Sequence, residues 1–461
     1  MKNKVFLFLL LAQFSFGQSK ILHPESYLQI VRTYHPIAKQ AGIAIQKSEA
    51  QILQARGAFD PILSHYSGQK TLDGKNYYIT QNPELSIPTW YGIELSAGSQ
   101  NILGNRTDPS QTLGQTQYYG LKVPLGKNLI IDKRRAALQQ AKLMNKMAYE
   151  NQRSMLNELL MDAMDAYWSW VKSYRVLQIV QKNRDIATRR VDFVKRMVEL
   201  GERPAVDTLE ALTQQQSFEN AYQAKSLEFD NAGLDLSVYL WQANNTPVML
   251  AKDVLPGELD QAFGLMAQFD LQLPSLLEKA NSNHPELNAY QFKIDALNVE
   301  KKLKFQGLLP KLDLSYQRLN QDGSSKNSGS WLDNNFYYGL SFEMPLRLSQ
   351  GRAEYQQAKL KVQEESLNQS QKKQQIEVKI GRYFNQFESL RKQIEVQEKA
   401  SANYNALVKA EESRFAQGES SLFLINSRES KAMEAAEKLT DLKAYLFKTI
   451  YALQASAGVL M

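Results

Sequence analysis

The pentapeptide Gln139-Gln140-Ala141-Lys142-Leu143 occurs a second time in this chain, as Gln356-Gln357-Ala358-Lys359-Leu360, at an offset of 217 residues. The pair Gly201-Glu202 occurs again at the same offset, as Gly418-Glu419. Several features that recur at one constant offset indicate a duplicated structural unit. The sequence therefore predicts an internal tandem repeat.

A second offset shows that the first copy is longer. The pair His35-Pro36 recurs as His284-Pro285, and Pro61 recurs as Pro310, both at an offset of 249 residues. Because 249 − 217 = 32, the first copy carries 32 additional residues, and they lie between Pro61 and Gln139.

The chain divides into four predicted segments. Its first residues combine two lysines, an apolar run and the small residues Ser15 and Gly17 before Gln18, which is the layout of a secretory signal peptide. Prolines and glycine mark a linker between the two copies. The predicted segments are a signal peptide at 1–17, a first repeat at 18–243, a linker at 244–274 and a second repeat at 275–461.

Very long helices dominate both copies. Residues 127–200 are 74 residues without a glycine or proline, which as one helix would reach about 110 Å. A similar stretch covers 352–417 and is interrupted only by Gly381. Apolar side chains in the first stretch alternate spacings of four and three, as in a coiled coil: Leu156, Leu160, Ala163, Tyr167, Trp170, Tyr174 and Leu177. We predict long helical hairpins that need partner helices.

Each long helix is predicted to end in a tight turn and to be followed by a return helix. The turns, here called the tip turns, lie at about 200–206 and 417–421 and contain Gly201 and Gly418. Glycine suits the left-handed residue that ends a helix. Shorter helical stretches cover about 24–56, 207–243, 275–306 and 421–457.

Each copy changes once from helical to strand periodicity. Leu312, Leu314 and Tyr316 alternate with polar residues, and the first copy shows the same pattern after Pro61. Strand hairpins are predicted at about 61–125 and 310–346. Alternation alone fits a membrane barrel and an ordinary soluble hairpin equally well. The insertion contains another strand-like run at 91–97, which the sequence leaves open as an outer loop, a plug or an added sheet.

Aromatic residues gather at the strand ends. In a membrane barrel these would be girdle residues at the two interfaces. We take the candidate membrane-interface aromatics to be Tyr118, Tyr119, Trp331, Tyr337 and Tyr338.

Composition argues against catalysis and cofactor binding. The chain has no cysteine and only four histidines, which excludes thiolate metal sites and a cysteine nucleophile. We find no glycine-rich phosphate loop and no metal-ligand spacing, and a net charge of +7 on 461 residues does not indicate nucleic acid. We therefore expect no enzyme activity, no catalytic residues, no metal, no cofactor and no nucleic-acid partner.

The order of these elements resembles the TolC family of outer-membrane efflux proteins over the whole chain after the signal peptide. The likeness rests on Phe59-Asp60-Pro61 and Leu309-Pro310 entering the strands, on Val123-Pro124-Leu125 and Met344-Pro345-Leu346 leaving them, and on the paired Gly-Glu turns. It implies a homotrimer in which four strands per chain complete a shared twelve-stranded transmembrane β-barrel. The long hairpins would form a trimeric α-barrel that crosses the periplasm.

The resemblance also implies a function. The protein is expected in the outer membrane of a Gram-negative-type cell, surrounded by outer-membrane lipid. There it would conduct substrates passively from a periplasmic adaptor and an inner-membrane pump of the RND, ABC or MFS type, in tripartite efflux or type I secretion. The alternative is a structural coiled-coil or surface-layer protein without transport, which would share the heptads but would not require strand hairpins.

The same resemblance gives candidate site residues. Gly201, Glu202, Gly418 and Glu419 correspond to tips that dock the adaptor, and Asp207, with Glu210, corresponds to the periplasmic gate. The residues that lock the second tip in the family appear here as Ser420, Leu424 and Ser427. A structural hypothesis competes for Asp207, because Asp207 followed by Glu210 also fits a capping box at the start of the return helix.

Overall fold

The computed structural model describes residues 20–104, 112–259, 269, 271–321 and 335–460. The predicted signal peptide and Trp331 lie outside these residues. The described chain is mostly helical and carries one large sheet, so the predicted fold class, mainly α with a β part, is confirmed. No helix in the described part of the chain combines the length and apolarity that crossing a membrane requires.

The elements occur twice in the same general order. In chain order they are β1 Lys20–Leu22, α1 Pro24–Tyr34, α2 Pro36–Gly57, β2 Ile62–Leu72, β3 Lys75–Pro88, β4 Glu94–Leu103, β5 Gly114–Pro124, α3 Lys133–Glu199, α4 Ala205–Ser237, β6 Val254–Pro256, α5 Leu273–Asn283, α6 Pro285–Phe305, β7 Lys311–Gln321, β8 Phe336–Glu343, α7 Ser349–Ala416 and α8 Leu422–Ser456.

The two His-Pro pairs break helices that the sequence had suggested to be continuous. His35 lies between α1 and α2 with ψ 137°, and His284 lies between α5 and α6 with ψ 126°. The cause is local, because a residue that precedes proline is pushed out of the helical region. The His35 side chain then accepts a hydrogen bond at Nδ1 from the Ile37 amide (3.2 Å), which satisfies a free donor at the start of α2.

The two long helices are uninterrupted. Helices α3 and α7 contain 67 and 68 residues, and α7 runs through Gly381 without a break. A mid-helix glycine costs only about 0.5–1 kcal/mol relative to alanine, which a packed helix of this length tolerates.

All the long strands belong to one antiparallel sheet with the order β2-β3-β4-β5-β7-β8. The short strands β1 and β6 form a separate parallel pair, in which the N-terminal segment joins the linker between the repeats. Neighbours in the sheet are consecutive in the chain except across the junction between β5 and β7, where the two repeats meet.

The predicted number of four strands per chain is wrong, because the sheet has six. The two additional strands, β3 and β4, are the insertion of the first copy, which is therefore an added part of the same sheet. The turn Asp73-Gly74 connects β2 to β3 with positive φ at both residues, a pattern typical of two-residue hairpin turns. This dipeptide is a sequence signal for β3 that we missed.

The sequence of β3 is also not typical of an interior strand. Pro83 lies in its middle, and proline lacks the N–H that an interior strand needs. The structure accommodates it locally, because the pairing of β3 with β4 continues from Gln81 to Glu84 but leaves Asn82 and Pro83 unpaired on that side. Pro83 remains opposite His65 on β2.

The chain forms two compact units, and each takes segments from both repeats. The described residues within Met1–Gly42, Arg153–His284 and Gln374–Met461 form the first unit, which is helical and includes both tip turns. The described residues within Ile43–Gln152 and Pro285–Lys373 form the second, which includes the six-stranded sheet.

An aromatic core holds the helices of the first unit together. The rings of Trp168 on α3 and Phe447 on α8 are stacked with centroids 4.2 Å apart, and both side chains are fully buried. Tyr167, next in the chain, packs on Tyr27 of α1 and donates a hydrogen bond from its hydroxyl to the Leu22 carbonyl of β1 (2.8 Å). The apolar stripe of α3 thus finds partner helices, as its narrow width requires.

Candidate functional site

The two tip turns have the same backbone geometry. Gly201 and Gly418 both adopt φ +77°. After each glycine the next amide, that of Glu202 or Glu419, donates a hydrogen bond to a carbonyl five residues earlier (2.9 Å in both). This is the Schellman motif, which satisfies carbonyls left free at a helix end. The repeated Gly-Glu pair therefore encodes two copies of one helix stop.

The start of the return helix α4 differs from the predicted capping box. Its N-cap is Pro204, with no side-chain hydrogen bond, and Asp207 lies within the first helical turn. The capping-box hypothesis is therefore wrong. Pro204 holds an extended conformation (ψ 149°), so the helix begins at Ala205, too early for Asp207 to cap it. A carboxylate in the first turn still interacts favourably with the helix dipole.

Arg203 of the first tip turn contacts the end of α7, just before the second tip turn. Its guanidinium lies over the ring of Phe415, 4.1 Å from the centroid, and its Nη2 donates a hydrogen bond to the Phe415 carbonyl (3.1 Å). Its Nη1 lies 3.8 Å from Oδ2 of Asp207, and both charged side chains are mostly buried. Asp207 therefore pairs with an arginine that binds the last turn of α7. Glu210 lies half-buried one turn further along α4.

The second turn is braced within its own hairpin. The Ser420 hydroxyl donates a hydrogen bond to the buried carboxylate of Glu411. The next serine, Ser421, caps α8 by accepting a hydrogen bond from the Leu424 amide (3.4 Å). Ser420, which the resemblance places at a position of the lock, thus takes part in a hydrogen bond with the helix that precedes the turn.

Apolar side chains are exposed around both turns. Val206 at the start of α4 is 64% exposed, and Phe423 at the equivalent start of α8 is 68% exposed. Leu200, Leu209 and Leu424 are also exposed. These five residues, here called the tip patch, were missed by our sequence analysis. Their signal is an apolar residue in the first turn of each return helix, where solvated helix starts usually carry polar residues.

The six-stranded sheet has two chemically different faces. Residues that oppose each other in an antiparallel ladder share a face, so the observed register assigns every strand residue to one side. In the half of each strand that adjoins a helix or the β3–β4 turn, the apolar face carries Leu63, Leu85, Ile87, Leu95, Ala97, Tyr119, Leu121, Val123, Leu312, Leu314, Tyr316, Tyr338, Leu340 and Phe342. In the other half of the strands the same face carries polar residues, among them His65, Ser67, Gln81, Ser99, Asn101, Gln117 and Arg318. The polar face carries Ser64, Glu84, Ser86, Glu94, Ser96, Gly98, Tyr118, Lys122, Asp313, Ser315, Tyr337, Ser341 and Glu343.

The polar face holds a network of charged and polar groups. Lys122 on β5 pairs with Asp313 on β7 (3.7 Å), and Lys311 pairs with Glu343 on β8 (3.6 Å). The Tyr118 hydroxyl donates a hydrogen bond to Glu84 two strands away. Tyr118 can cross β4 because Gly98 lies beneath it, where a Cβ atom would come within 2.6 Å of the tyrosine ring.

Strand alternation divides the candidate interface aromatics. Tyr119 and Tyr338 lie on the apolar face, where a lipid girdle requires them, and both are exposed. Tyr118 and Tyr337 lie on the polar face, because neighbouring residues of a strand point to opposite sides. Two of these candidates therefore share the apolar face, and Tyr118 has a hydrogen-bond partner on the polar face. Trp331 lies outside the described residues.

Comparison with known proteins relates the second repeat to a described family. Residues 276–458, which are 183 of the 461 residues, match the sequence profile described as "Outer membrane efflux protein". The second repeat of this chain is therefore similar to that family. The family resemblance inferred from the repeats is confirmed, and the predicted outer-membrane efflux function agrees with it. Neither the fold nor the comparisons support the structural or surface-layer alternative. The family is one of transport proteins rather than enzymes.

Solved structures extend the likeness to the first half. The Campylobacter jejuni CmeC outer membrane channel is 14% identical with a TM-score of 0.65, over 95% of this chain and 86% of that one. The Neisseria gonorrhoeae MtrE outer membrane channel, solved in its open state, is 14% identical with a TM-score of 0.65, over 97% and 94%. Vibrio cholerae VceC is 12% identical with a TM-score of 0.65, over 94% and 96%. At such identities the likeness shows the fold. No curated protein matches the sequence significantly.

Proposed function

We propose that this efflux protein is the outer-membrane channel of a tripartite efflux or type I secretion system, and that it works as a homotrimer. The observation that carries the proposal is the six-stranded sheet with opposite apolar and polar faces. Five of its strands have 10–14 residues, and a membrane-spanning strand needs about 9–11. The apolar face fits lipid, and the polar face fits the wall of an aqueous pore.

The tip turns are the proposed docking site for a periplasmic adaptor. Several exposed apolar side chains on a soluble surface are typical of an interaction site. The tip patch provides five such side chains at the ends of the two hairpins, where Glu202 and Glu419 are exposed as well. An adaptor with an apolar helical tip would bury the patch, and an inner-membrane pump would complete the assembly.

Asp207 and Glu210 are the proposed acidic residues of the gate. In a trimer three copies of Asp207 would approach one axis, and a ring of carboxylates favours cations. The observed pairing with Arg203 supports a role in holding the two tip turns together in one conformation.

Conductance in a planar bilayer tests the proposed channel function. Protein extracted from the outer membrane in mild detergent should insert and give discrete ion-conducting steps. A structural envelope protein would give none. Native mass measured on the same sample should correspond to a trimer, and a sample that contained only monomers would contradict the proposed assembly.

Asp207→Asn is expected to reduce the cation selectivity of the channel while leaving its fold intact. The substitution removes the charge of the proposed ring but preserves size, and Arg203 keeps its contacts with Phe415, so the variant should fold. Reversal potentials under a salt gradient measure the selectivity. Asp230→Asn, an exposed residue of the same helix, is the matched control. Unchanged selectivity would contradict the role of Asp207 in the gate and would leave only its pairing with Arg203.

Val206→Asp combined with Phe423→Asp is expected to abolish capture of the adaptor. Both side chains are exposed, so the variant should fold, and a charged carboxylate in an apolar interface is costly to desolvate. Retention of purified adaptor on the immobilised trimer measures the effect. Phe423→Leu, which keeps the patch apolar, should still bind. Full binding by the double aspartate variant would show that the tip patch is not the docking site.

A further inference from the structure

The six-stranded sheet ends on two edges that pair with no further strand among the described residues. These edges are β2 and β8. Each edge strand has an apolar side chain that is well exposed. Leu63 on β2 is 78% exposed, and Phe342 on β8 is 68% exposed. In lipid, each unpaired backbone group costs several kcal/mol. Six strands are also fewer than the eight of the small barrels whose interior is just filled, so the edges need partners from other chains.

The two edges are complementary in direction. Every neighbouring pair in the sheet is antiparallel, and four strands lie between β2 and β8, so these two edge strands run in opposite directions. If β8 of one copy lay beside β2 of a second copy, the new pair would also be antiparallel. The ladder would continue across the junction without a change of pattern.

The two edges are also complementary in their faces. The polar face contains the even-numbered residues of β2, such as Ser64, and the odd-numbered residues of β8, such as Ser341. If Ser341 pairs with Ser64, or with Tyr66 after a shift of two residues, both residues of the pair lie on the polar face. The same registers bring Phe342 of the apolar face beside Leu63 or His65. A shift of one residue would reverse every side chain and expose polar groups to lipid.

We propose that β8 of each copy pairs with β2 of the next and that three copies close an eighteen-stranded barrel. The inference rests on the proposed trimeric channel, and it differs from the twelve-stranded barrel that the family resemblance implies. Barrel diameter grows roughly linearly with strand number, so the bore is about one and a half times that of a twelve-stranded barrel. Barrels of sixteen to eighteen strands leave an open aqueous channel.

The β3–β4 hairpin is the part of the chain that widens the barrel. The segment Asp73–Gly104 contains both strands and is 32 residues long, the same number by which the first repeat exceeds the second. Without it, β2 and β5 would remain as one antiparallel pair with even-numbered residues of both strands on the polar face. One inserted hairpin therefore accounts for the step from four strands per chain to six.

Disulfide cross-linking tests the proposed junction, because the natural chain has no cysteine. Ser341→Cys is combined in one chain with Ser64→Cys or Tyr66→Cys, and oxidised outer membranes are analysed by denaturing electrophoresis. We expect at least one pair to give covalent dimers and trimers that a reductant converts to monomers. Within one chain β2 and β8 are five strand spacings apart along the sheet, about 24 Å, so each cross-link reports two subunits.

Two control pairs make the result specific. Leu63→Cys with Ser341→Cys joins opposite faces and should not cross-link. Ser96→Cys with Ser341→Cys tests the rival arrangement, in which β4 is the barrel edge and twelve strands close the barrel. Ser96 lies on the polar face of a strand that runs in the same direction as β2. Cross-linking of the Ser96 pair, without cross-linking of the β2 pairs, would overturn the eighteen-stranded barrel.

The remaining outcomes separate this inference from the proposed function. A trimer by native mass in which no β2 pair cross-links would overturn the junction and leave the trimer standing. Covalent products larger than trimers would overturn the count of eighteen. Monomers alone by native mass would overturn the trimeric channel itself.

Deletion of Asp73–Gly104 provides a second measurement. The shortened chain should form a twelve-stranded barrel, and the radius of the largest polyethylene glycol that enters from the outer end in a bilayer should fall about 1.5-fold. An unchanged size limit in an assembled variant would contradict the role of the hairpin. If the variant does not assemble, the cysteine pairs decide the question.

Discussion

Replacing Glu429 by alanine is expected to lower the free energy of unfolding by about 3 kcal/mol, the lower end of the range for breaking a buried ion pair. Glu429 on α8 receives two hydrogen bonds from the guanidinium of Arg190 on α3. The side chains are only 4% and 10% exposed, so the substitution leaves a buried charge. Glu412 lies 3.7 Å from Arg190 and would compensate in part, which is why we expect the lower end.

Denaturant unfolding followed by far-ultraviolet circular dichroism in detergent measures this loss. Glu434→Ala is the matched control, because Glu434 lies on the same helix and pairs with Lys431 at 2.8 Å, but both side chains are well exposed. Because water screens this exposed pair, replacing Glu434 by alanine should leave the free energy of unfolding almost unchanged. The double variant Arg190→Met/Glu429→Leu removes both charges and should recover most of the stability. If Glu429→Ala and Glu434→Ala lowered the free energy of unfolding equally, burial would not strengthen the pair of Arg190 with Glu429.

Replacing Trp168 by alanine is expected to lower the free energy of unfolding by about 3–5 kcal/mol, the usual range for deleting a buried aromatic side chain. The indole is 1% exposed and stacks on Phe447 at an interplanar angle of 12°. It also meets Tyr167 edge-on with centroids 5.3 Å apart. Alanine would leave a cavity between α3 and α8 that the surrounding rings cannot fill. The same denaturant titration measures the change.

Trp168→Phe is the control for this cavity. A phenyl ring keeps the stacking on Phe447, and it removes an indole N–H that is buried without an acceptor in the described structure. Loss of an unsatisfied donor offsets part of the lost volume, so the cost should stay below about 1.5 kcal/mol. If phenylalanine were as damaging as alanine, the indole N–H would have to bind a partner that the described residues do not provide.

The candidate site was predictable where it depends on residues close in the chain. Gly201 and Gly418 each end a helix through a left-handed conformation that glycine adopts without steric cost, so the tip turns could be placed from their sequence. Asp207 was a different case. Its partner Arg203 is close in the chain, but Arg203 also binds Phe415, 212 residues further on. No local sequence pattern predicts that contact.

The strand count shows the same division. Alternation located β2, β5, β7 and β8, because one apolar and one polar face leave a period of two in the sequence. It also indicated a strand at 91–97, which overlaps the start of β4. Strand β3 lacks that clear signal, since Pro83 interrupts it and its neighbouring residues are mixed. Its place in the sheet depends on pairing with β2 and β4, which a single strand does not encode.

The sequence by itself determined the duplication, the two long helical hairpins with their glycine turns, and a sheet with one apolar face, because periodicity and backbone preference act over a few residues. Only the tertiary structure decided the number of strands, the clasp of Arg203 on Phe415 and the buried pairing of Arg190 with Glu429. Each of these depends on groups far apart in the chain, whose contact is fixed by how the elements pack and not by the residues beside them.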